Sequence, residues 1–114
     1  MATDVRIIRL LDQTSINGAT LNVQQPVAGA GPREGKHMLE VVVAGAGTLT
    51  VGPVKVSISR GTHVVPEGAS SVSLLTGKGA GTYIVPLDVP PCAGFSLDFT
   101  ATGSVTVNAW LARA

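Results

Sequence analysis

The chain has 114 residues, of which 45% are hydrophobic, 4% aromatic and 13% charged, and its formal net charge is +1. An average domain has roughly 25% charged residues, and so small a net charge excludes the basic surface of a typical nucleic-acid-binding protein. No apolar run approaches the roughly 18 residues of a membrane span. The single cysteine, Cys92, excludes an intramolecular disulfide. We expect one domain over residues 1–114, large enough to bury its own core.

The first strand predicted is Val5 to Leu11, in which Ile7 and Ile8 must point to opposite faces because side chains alternate along a strand. Two arginines interrupt this apolar stretch, which is unlike a signal peptide. We therefore expect the protein to be made and kept in a cytoplasm, or to leave it by a route other than the standard secretory one, with no membrane association. After the Asn17-Gly18 turn a short strand leads into a long loop over residues 24–37, rich in glycine and proline.

The middle of the chain reads as short strands separated by glycine and proline. The segment from Thr48 to Arg60 changes phase at Gly52-Pro53, with apolar residues at odd positions before it and at even positions after it. This predicts a kink or bulge, and either one bent strand or two short ones. Pro86 indicates an edge strand or a strand end. The further strands predicted here are His37–Ala44, Ser71–Thr76 and Thr82–Val89.

The clearest pattern is at the C-terminus, where apolar residues occupy the odd positions of residues 95–99 and 105–111. A three-residue loop ending at Gly103 would pair Phe99 with Val105 in a hairpin and place both apolar sets on one face. Trp110, the only tryptophan, then falls on the polar face, across from Gly94. It either covers that glycine or a loop, or meets a partner chain, since tryptophan is enriched in interface cores.

These patterns predict an all-β, antiparallel two-sheet β-sandwich, jelly-roll or Ig-like, with about eight short strands and no substantial helix. The glycine-rich run 77–81 is predicted to be a hairpin turn, because a phosphate-binding loop needs a different glycine spacing and a following helix. His37 and His63 have no further ligands at metal-binding spacing, although His63 with Glu67 or Cys92 stays open. No nucleophile with a base and no carboxylate pair is evident. We expect no enzyme activity and no cofactor.

Five short motifs follow one another from the middle of the chain to its last strand: Gly45-Ala-Gly-Thr-Leu-Thr-Val51, Val54-Lys-Val-Ser-Ile-Ser59, Gly81-Thr-Tyr-Ile-Val85, Pro90-Pro-Cys-Ala-Gly94 and Thr102-Gly-Ser-Val-Thr-Val107. In these motifs the chain resembles small virion structural proteins of tailed bacteriophages. The resemblance implies a capsid decoration, or cement, protein that bridges capsid subunits, with a minor head or tail structural protein as the next alternative. It implies that the partners are the major capsid protein or other virion subunits, and that the location is the virion.

Few charged groups on the outward strand positions favour a subunit of an assembly, and we expect a homo-oligomer. The loop over 24–37 and the N-terminal segment are the expected contacts, because the loop holds little to bury in its own domain. The alternative class is a ligand- or carbohydrate-binding module for host-surface recognition, for which only Trp110 and Tyr83 could supply aromatic contacts. The interface residues predicted from sequence are Trp110, Arg33, Glu34, Lys36, Ile7 and Ile8.

Overall fold

In a computed structural model, the described residues are 6–26, 35–59, 61–67 and 72–113, and they contain nine strands and no helix. About eight strands are predicted, and the ninth arises because the segment that changes phase at Gly52-Pro53 forms two short strands on either side of it. The strands are β1 (Arg6–Asn17), β2 (Thr20–Pro26), β3 (Gly35–Ala44), β4 (Thr48–Val51), β5 (Lys55–Ser57), β6 (Leu75–Lys78), β7 (Gly81–Val89), β8 (Gly94–Thr102) and β9 (Ser104–Arg113).

The strands form two antiparallel sheets. The four-stranded sheet has the order β1-β9-β3-β7, and the five-stranded sheet has the order β2-β8-β4-β6, with β5 beside β8. The first strand thus pairs with the last, the second with the second-last, β3 with β7 and β4 with β6. A long antiparallel hairpin rolled up on itself gives this pairing, which is the jelly-roll arrangement. The predicted β-sandwich is confirmed, and its strand order is that of a jelly roll and not Ig-like.

The core lies between the two sheets and is built from alternate residues of each strand. Leu97 and Phe99 of β8 face Val107 and Leu111 of β9 across the sandwich, and all four are almost completely buried. The two-residue period predicts this, because one side of each strand turns to the core.

The predicted C-terminal hairpin is wrong. β8 pairs with β2 on one side and with β4 and β5 on the other, whereas β9 pairs with β1 and β3. A single residue, Gly103, with a φ of 80°, carries the chain from one sheet to the other. The alternation is the same in both arrangements, since apolar sets that would share one sheet face can equally face each other across a core. Trp110 consequently lies between β1 and β3, in a different sheet from the Gly94 predicted opposite it.

The run 77–81 is also a crossover and not the predicted hairpin turn, because β6 and β7 belong to different sheets. The prediction at Gly52-Pro53 is confirmed. Val51 pairs with Phe99, and Lys55 pairs with Ser96, so one extra residue is inserted between β4 and β5 along the same side of β8. This inserted residue moves the inward positions from odd to even numbers, as the sequence indicates.

Gly47 fixes how closely two crossovers can approach. Its amide N donates a hydrogen bond of 3.0 Å to the carbonyl of Ser104, next to Gly103. A Cβ at residue 47 would lie 2.5 Å from the carbonyl oxygen of Thr102, which is backbone and cannot move away cheaply. The Gly-x-Gly after β3 therefore allows the β3–β4 crossover to pack directly on the β8–β9 crossover.

Candidate functional site: the outer face of the four-stranded sheet

The outer face of the four-stranded sheet carries large apolar side chains in neighbouring positions. Ile7 of β1 is 65% exposed, Met38 of β3 is 45% exposed and Ile84 of β7 is 58% exposed. Together with Trp110 and Ala112 of β9 and with Glu40, they line a shallow groove of about 340 Å³. We call these six residues the apolar face. Isolated exposed apolar side chains are ordinary, but a contiguous group of them marks an interaction surface.

Strand register places the apolar face in two rows across the sheet. In the first row Ile7 pairs with Ala112, which pairs with Met38, which pairs with Pro86. In the second row Arg9, Trp110, Glu40 and Ile84 follow one another in the same way. Because directly opposed residues in a sheet share a face, each row presents its side chains together on the outside.

Trp110 is half-buried because Arg9 covers it. The Cζ atom of Arg9 lies 4.5 Å from the centre of the indole ring, in a cation–π contact. The guanidinium is held there by neighbours on its own sheet: Nε donates to the carbonyl of Leu11 at 3.1 Å, and Nη2 donates to Asp12 at 3.0 Å and to Asn108. A bulge in β1 between Arg9 and Leu11 brings these groups together.

Glu40 is the charged member of the apolar face. It lies between Trp110 on β9 and Ile84 on β7 and is partly buried. Among the described residues its carboxylate has no hydrogen-bond or ion-pair partner. A carboxylate set among apolar groups is costly to desolvate without a partner. Any surface that covers this face must therefore supply a donor or a cation for Glu40.

The outer face of the five-stranded sheet is different, because several of its polar side chains bond to one another. Asn22 Nδ2 donates to one carboxylate oxygen of Asp98 at 2.7 Å, and Lys55 Nζ lies 2.8 Å from the other. The hydroxyls of Thr20 and Thr100 are 2.9 Å apart. The hydrogen bond from the Lys55 ammonium lowers the pKa of Asp98 below its usual value, and the hydrogen bond from the Asn22 amide lowers it further by a smaller amount. Both bonds stabilise the charged form of the carboxyl group.

The residues predicted from sequence to form an interface are only partly brought together. Ile7 and Trp110 share the apolar face, and Lys36 lies on the same outer face, opposite Asp88 of β7. Ile8 points to the other side of β1, where it pairs with Leu111 and is partly buried, as its opposite phase to Ile7 predicts. Residues 27–34 of the predicted loop, which include Arg33 and Glu34, lie outside the described residues.

Met38, Glu40 and Ile84 were not predicted as site residues. Their alternation along β3 and β7 already places them away from Leu39, Val41 and Val85. The sequence pattern does not reveal the pairing of β9 with β1 and β3, which joins residues 70 to 105 positions apart into one surface.

Neither His37 nor His63 belongs to a cluster of possible metal ligands within the described residues. His37 is buried and its Nδ1 donates to the carbonyl of Gly35 at 2.9 Å. Over the part of the chain that the structure describes, no three His, Cys, Asp or Glu residues are grouped so that they could hold a metal ion. In the same residues no helix is long and apolar enough to cross a membrane.

The two aromatic residues considered for ligand binding do not form a common platform. Tyr83 donates its hydroxyl to the carbonyl of Gly79 at 2.8 Å and packs against the core, opposite Val41. Trp110 lies on the other side of the same sheet, with Arg9 over its ring. Sugar recognition by stacking needs an accessible ring face, and here both rings are already engaged within the chain.

Comparison of the chain with protein-family models, with curated proteins and with solved structures finds no match.

Proposed function

We propose that this protein is a non-enzymatic structural subunit of a tailed-phage virion, most specifically a decoration protein that stabilises the head by bridging capsid subunits. The observation that carries the proposal is the apolar face, a contiguous group of exposed apolar residues on a rigid sheet in a charge-poor chain. The phage-like motifs of the sequence support the choice of the virion class. The fold does not make that choice, because jelly rolls occur in viral capsid proteins, lectins and cupins alike.

The mechanism is adhesion. Both sheets are tied together by a core of apolar residues, so the outer faces are presented by a stiff sandwich and lose little conformational entropy on binding. Apolar groups on the outer face lose water when a neighbouring subunit covers them, which contributes about 25 cal/mol per Å² of apolar area. A stable contact buries on the order of 1,200 Å² or more in total, and the broad faces of this molecule, 38 by 37 Å with a thickness of 20 Å, are wide enough for that.

A ligand-binding module for host-surface recognition is the second candidate considered. It rests on the two aromatic residues, and their separation on opposite sides of one sheet removes the shared platform it would use. We therefore place it behind the structural role. A glycan array that gives a signal lost in Trp110→Ala would return it to first place.

The experiment for the structural role uses the phage that encodes this chain. Purified virions are analysed by mass spectrometry and by electron microscopy, with and without the gene. We expect density for the protein at a fixed, repeated position on the wild-type head, and heads without it to release their DNA at a lower temperature. Absence of the protein from purified virions would overturn the proposal, and presence only in the tail would select the minor tail protein in its place.

A further inference from the structure

We propose that a second copy of this chain covers the apolar face, in a symmetric dimer whose two-fold axis runs along β9. This inference deepens the proposed function, since it names the occupant of the adhesive face, but it can be tested on the isolated protein. It rests on the order of side chains across the sheet and on the charges among them.

The two-fold axis of a symmetric face-to-face dimer lies in the plane of contact, so each side chain meets the one reflected across the axis. With the axis along β9, the strand β1 of one copy lies over β3 of the other. Arg9 and Glu40 flank Trp110, each one strand away from it. The dimer therefore places each Arg9 opposite the Glu40 of the second copy, twice, on either side of two apposed Trp110 rings.

The hydrogen bonds of the free chain leave room for this pair. Nε and Nη2 of Arg9 are bonded within the chain, whereas Nη1 has no partner among the described residues. Glu40 likewise has none there. A guanidinium held in place over a ring, with one nitrogen that makes no hydrogen bond among the described residues, and an unpaired carboxylate two strands away are complementary in charge across the axis.

The apolar residues of the next row match under the same symmetry. Ile7 and Met38 flank Ala112 on β1 and β3, so the exposed Ile7 of one copy covers the exposed Met38 of the other. An axis between β9 and β3 gives a worse result. It would place Arg9 over Ile84 and Glu40 over Trp110, burying the Glu40 carboxylate without an ionic partner, which is unfavourable.

The size of the contact sets the expected affinity. Three strands of about ten residues overlap in the dimer. From the strand spacing and the rise per residue, they cover a flat area of about 14 by 34 Å, or on the order of 500 Å² per copy, without the additional surface of protruding side chains. This is less than the roughly 800 Å² that each partner contributes to a standard-size interface, and it falls in the range of weak, transient contacts. We expect a dimer that dissociates in the micromolar range.

The decisive experiment is a charge exchange followed by sedimentation equilibrium. Wild-type protein is expected to sediment at twice the 11.5 kDa mass of the chain at high concentration. Arg9→Glu and Glu40→Arg each place two like-charge pairs in their own dimer, so each alone is expected to dimerise at least ~30-fold more weakly, as for a hot spot. Mixed in equal amounts, they restore both opposite pairs, and the mixed dimer is expected to recover wild-type affinity.

Two controls distinguish a weaker dimer from a misfolded variant and charge repulsion from the loss of a charge. Circular dichroism of each variant establishes folding, and Glu40→Gln, which removes the charge without reversal, is expected to weaken the dimer less than Glu40→Arg. A wild-type monomer at high concentration would overturn the inference, and so would single variants that dimerise normally or a mixture that gains nothing over them. A monomer whose Trp110 is protected only on virions would give the face to a capsid subunit and leave the proposed function standing. If the charge-exchange result holds for the isolated protein but the protein is absent from virions, the dimer stands and the proposed function fails.

Discussion

The two outer faces of this sandwich come from strands with the same alternation but are built from opposite kinds of side chain. On the five-stranded sheet, Thr20 bonds Thr100, and Asn22 and Lys55 bond Asp98. On the four-stranded sheet, Ile7, Met38 and Ile84 are exposed around Trp110. Several polar groups of the first face bond to one another within the chain, whereas the second exposes apolar area and one carboxylate that has no partner among the described residues. This difference in exposed apolar area is the reason that the proposed adhesion is placed on the four-stranded sheet.

The largest effect is expected at Trp110. Trp110→Ala should weaken self-association by about 2 kcal/mol or more, because truncated interface tryptophans cost this much. Its melting temperature at low concentration should stay near that of the wild type, since the ring lies outside the core formed between the sheets. Sedimentation equilibrium and thermal denaturation measure the two quantities. A variant that melts far lower as a monomer would show that Trp110 stabilises the subunit itself and not the contact.

The next prediction tests whether an exposed isoleucine promotes association through its position on the apolar face or only through its hydrophobicity. Ile7→Ser should weaken association by about 1.5 kcal/mol, the amount for burying part of an isoleucine side chain. Ile58→Ser is the matched control, because Ile58 is 79% exposed but lies beyond the end of β5, away from the apolar face. Light scattering over a concentration series should show a change for the first variant only. Equal effects of the two would mean that exposed apolar area acts non-specifically.

More of the fold than of the apolar face could be predicted from the sequence. Alternating apolar residues determine which side of each strand is buried, and the inserted residue after Val51 was visible as a change of parity. Alternation does not determine which strands are neighbours, so a crossover through Gly103 was mistaken for a hairpin. The apolar face depends on those neighbours. Ile7 and Trp110 stood out individually as apolar residues in the wrong phase, whereas Met38 and Ile84 join them only through the pairing of β9 with β1 and β3.

On the five-stranded sheet, Asp98→Asn should lower the free energy of unfolding by about 1 kcal/mol at neutral pH, because the ion pair is partly exposed and solvent screens it. The folded state lowers the pKa of Asp98, so its contribution is present above the pKa of the unfolded chain and is lost as the pH falls through the folded pKa. The difference between wild type and variant should therefore shrink below about pH 4, near the ordinary aspartate pKa. Urea denaturation at several pH values measures it, and a difference that grows on acidification would contradict the assignment.

The smallest effect is expected at the hydroxyl pair of Thr20 and Thr100. Each Thr→Val change keeps the branched shape suited to a strand but leaves one hydroxyl without its partner, which should cost about 0.5 kcal/mol of unfolding free energy at this exposed position. The double variant Thr20→Val/Thr100→Val should be nearly neutral, since neither hydroxyl is left unpaired.

The double variant also makes the outer face of the five-stranded sheet more apolar, but that face has no counterpart of Trp110, Arg9 and Glu40. Its self-association should be the same as that of the wild type if the contact depends on the arrangement of those three residues. Tighter association by the double variant would show that apolar area on either face is sufficient, because the new valines have no charged groups of matching register beside them. In that case the reciprocal pairing of Arg9 with Glu40 would not be what selects the four-stranded sheet.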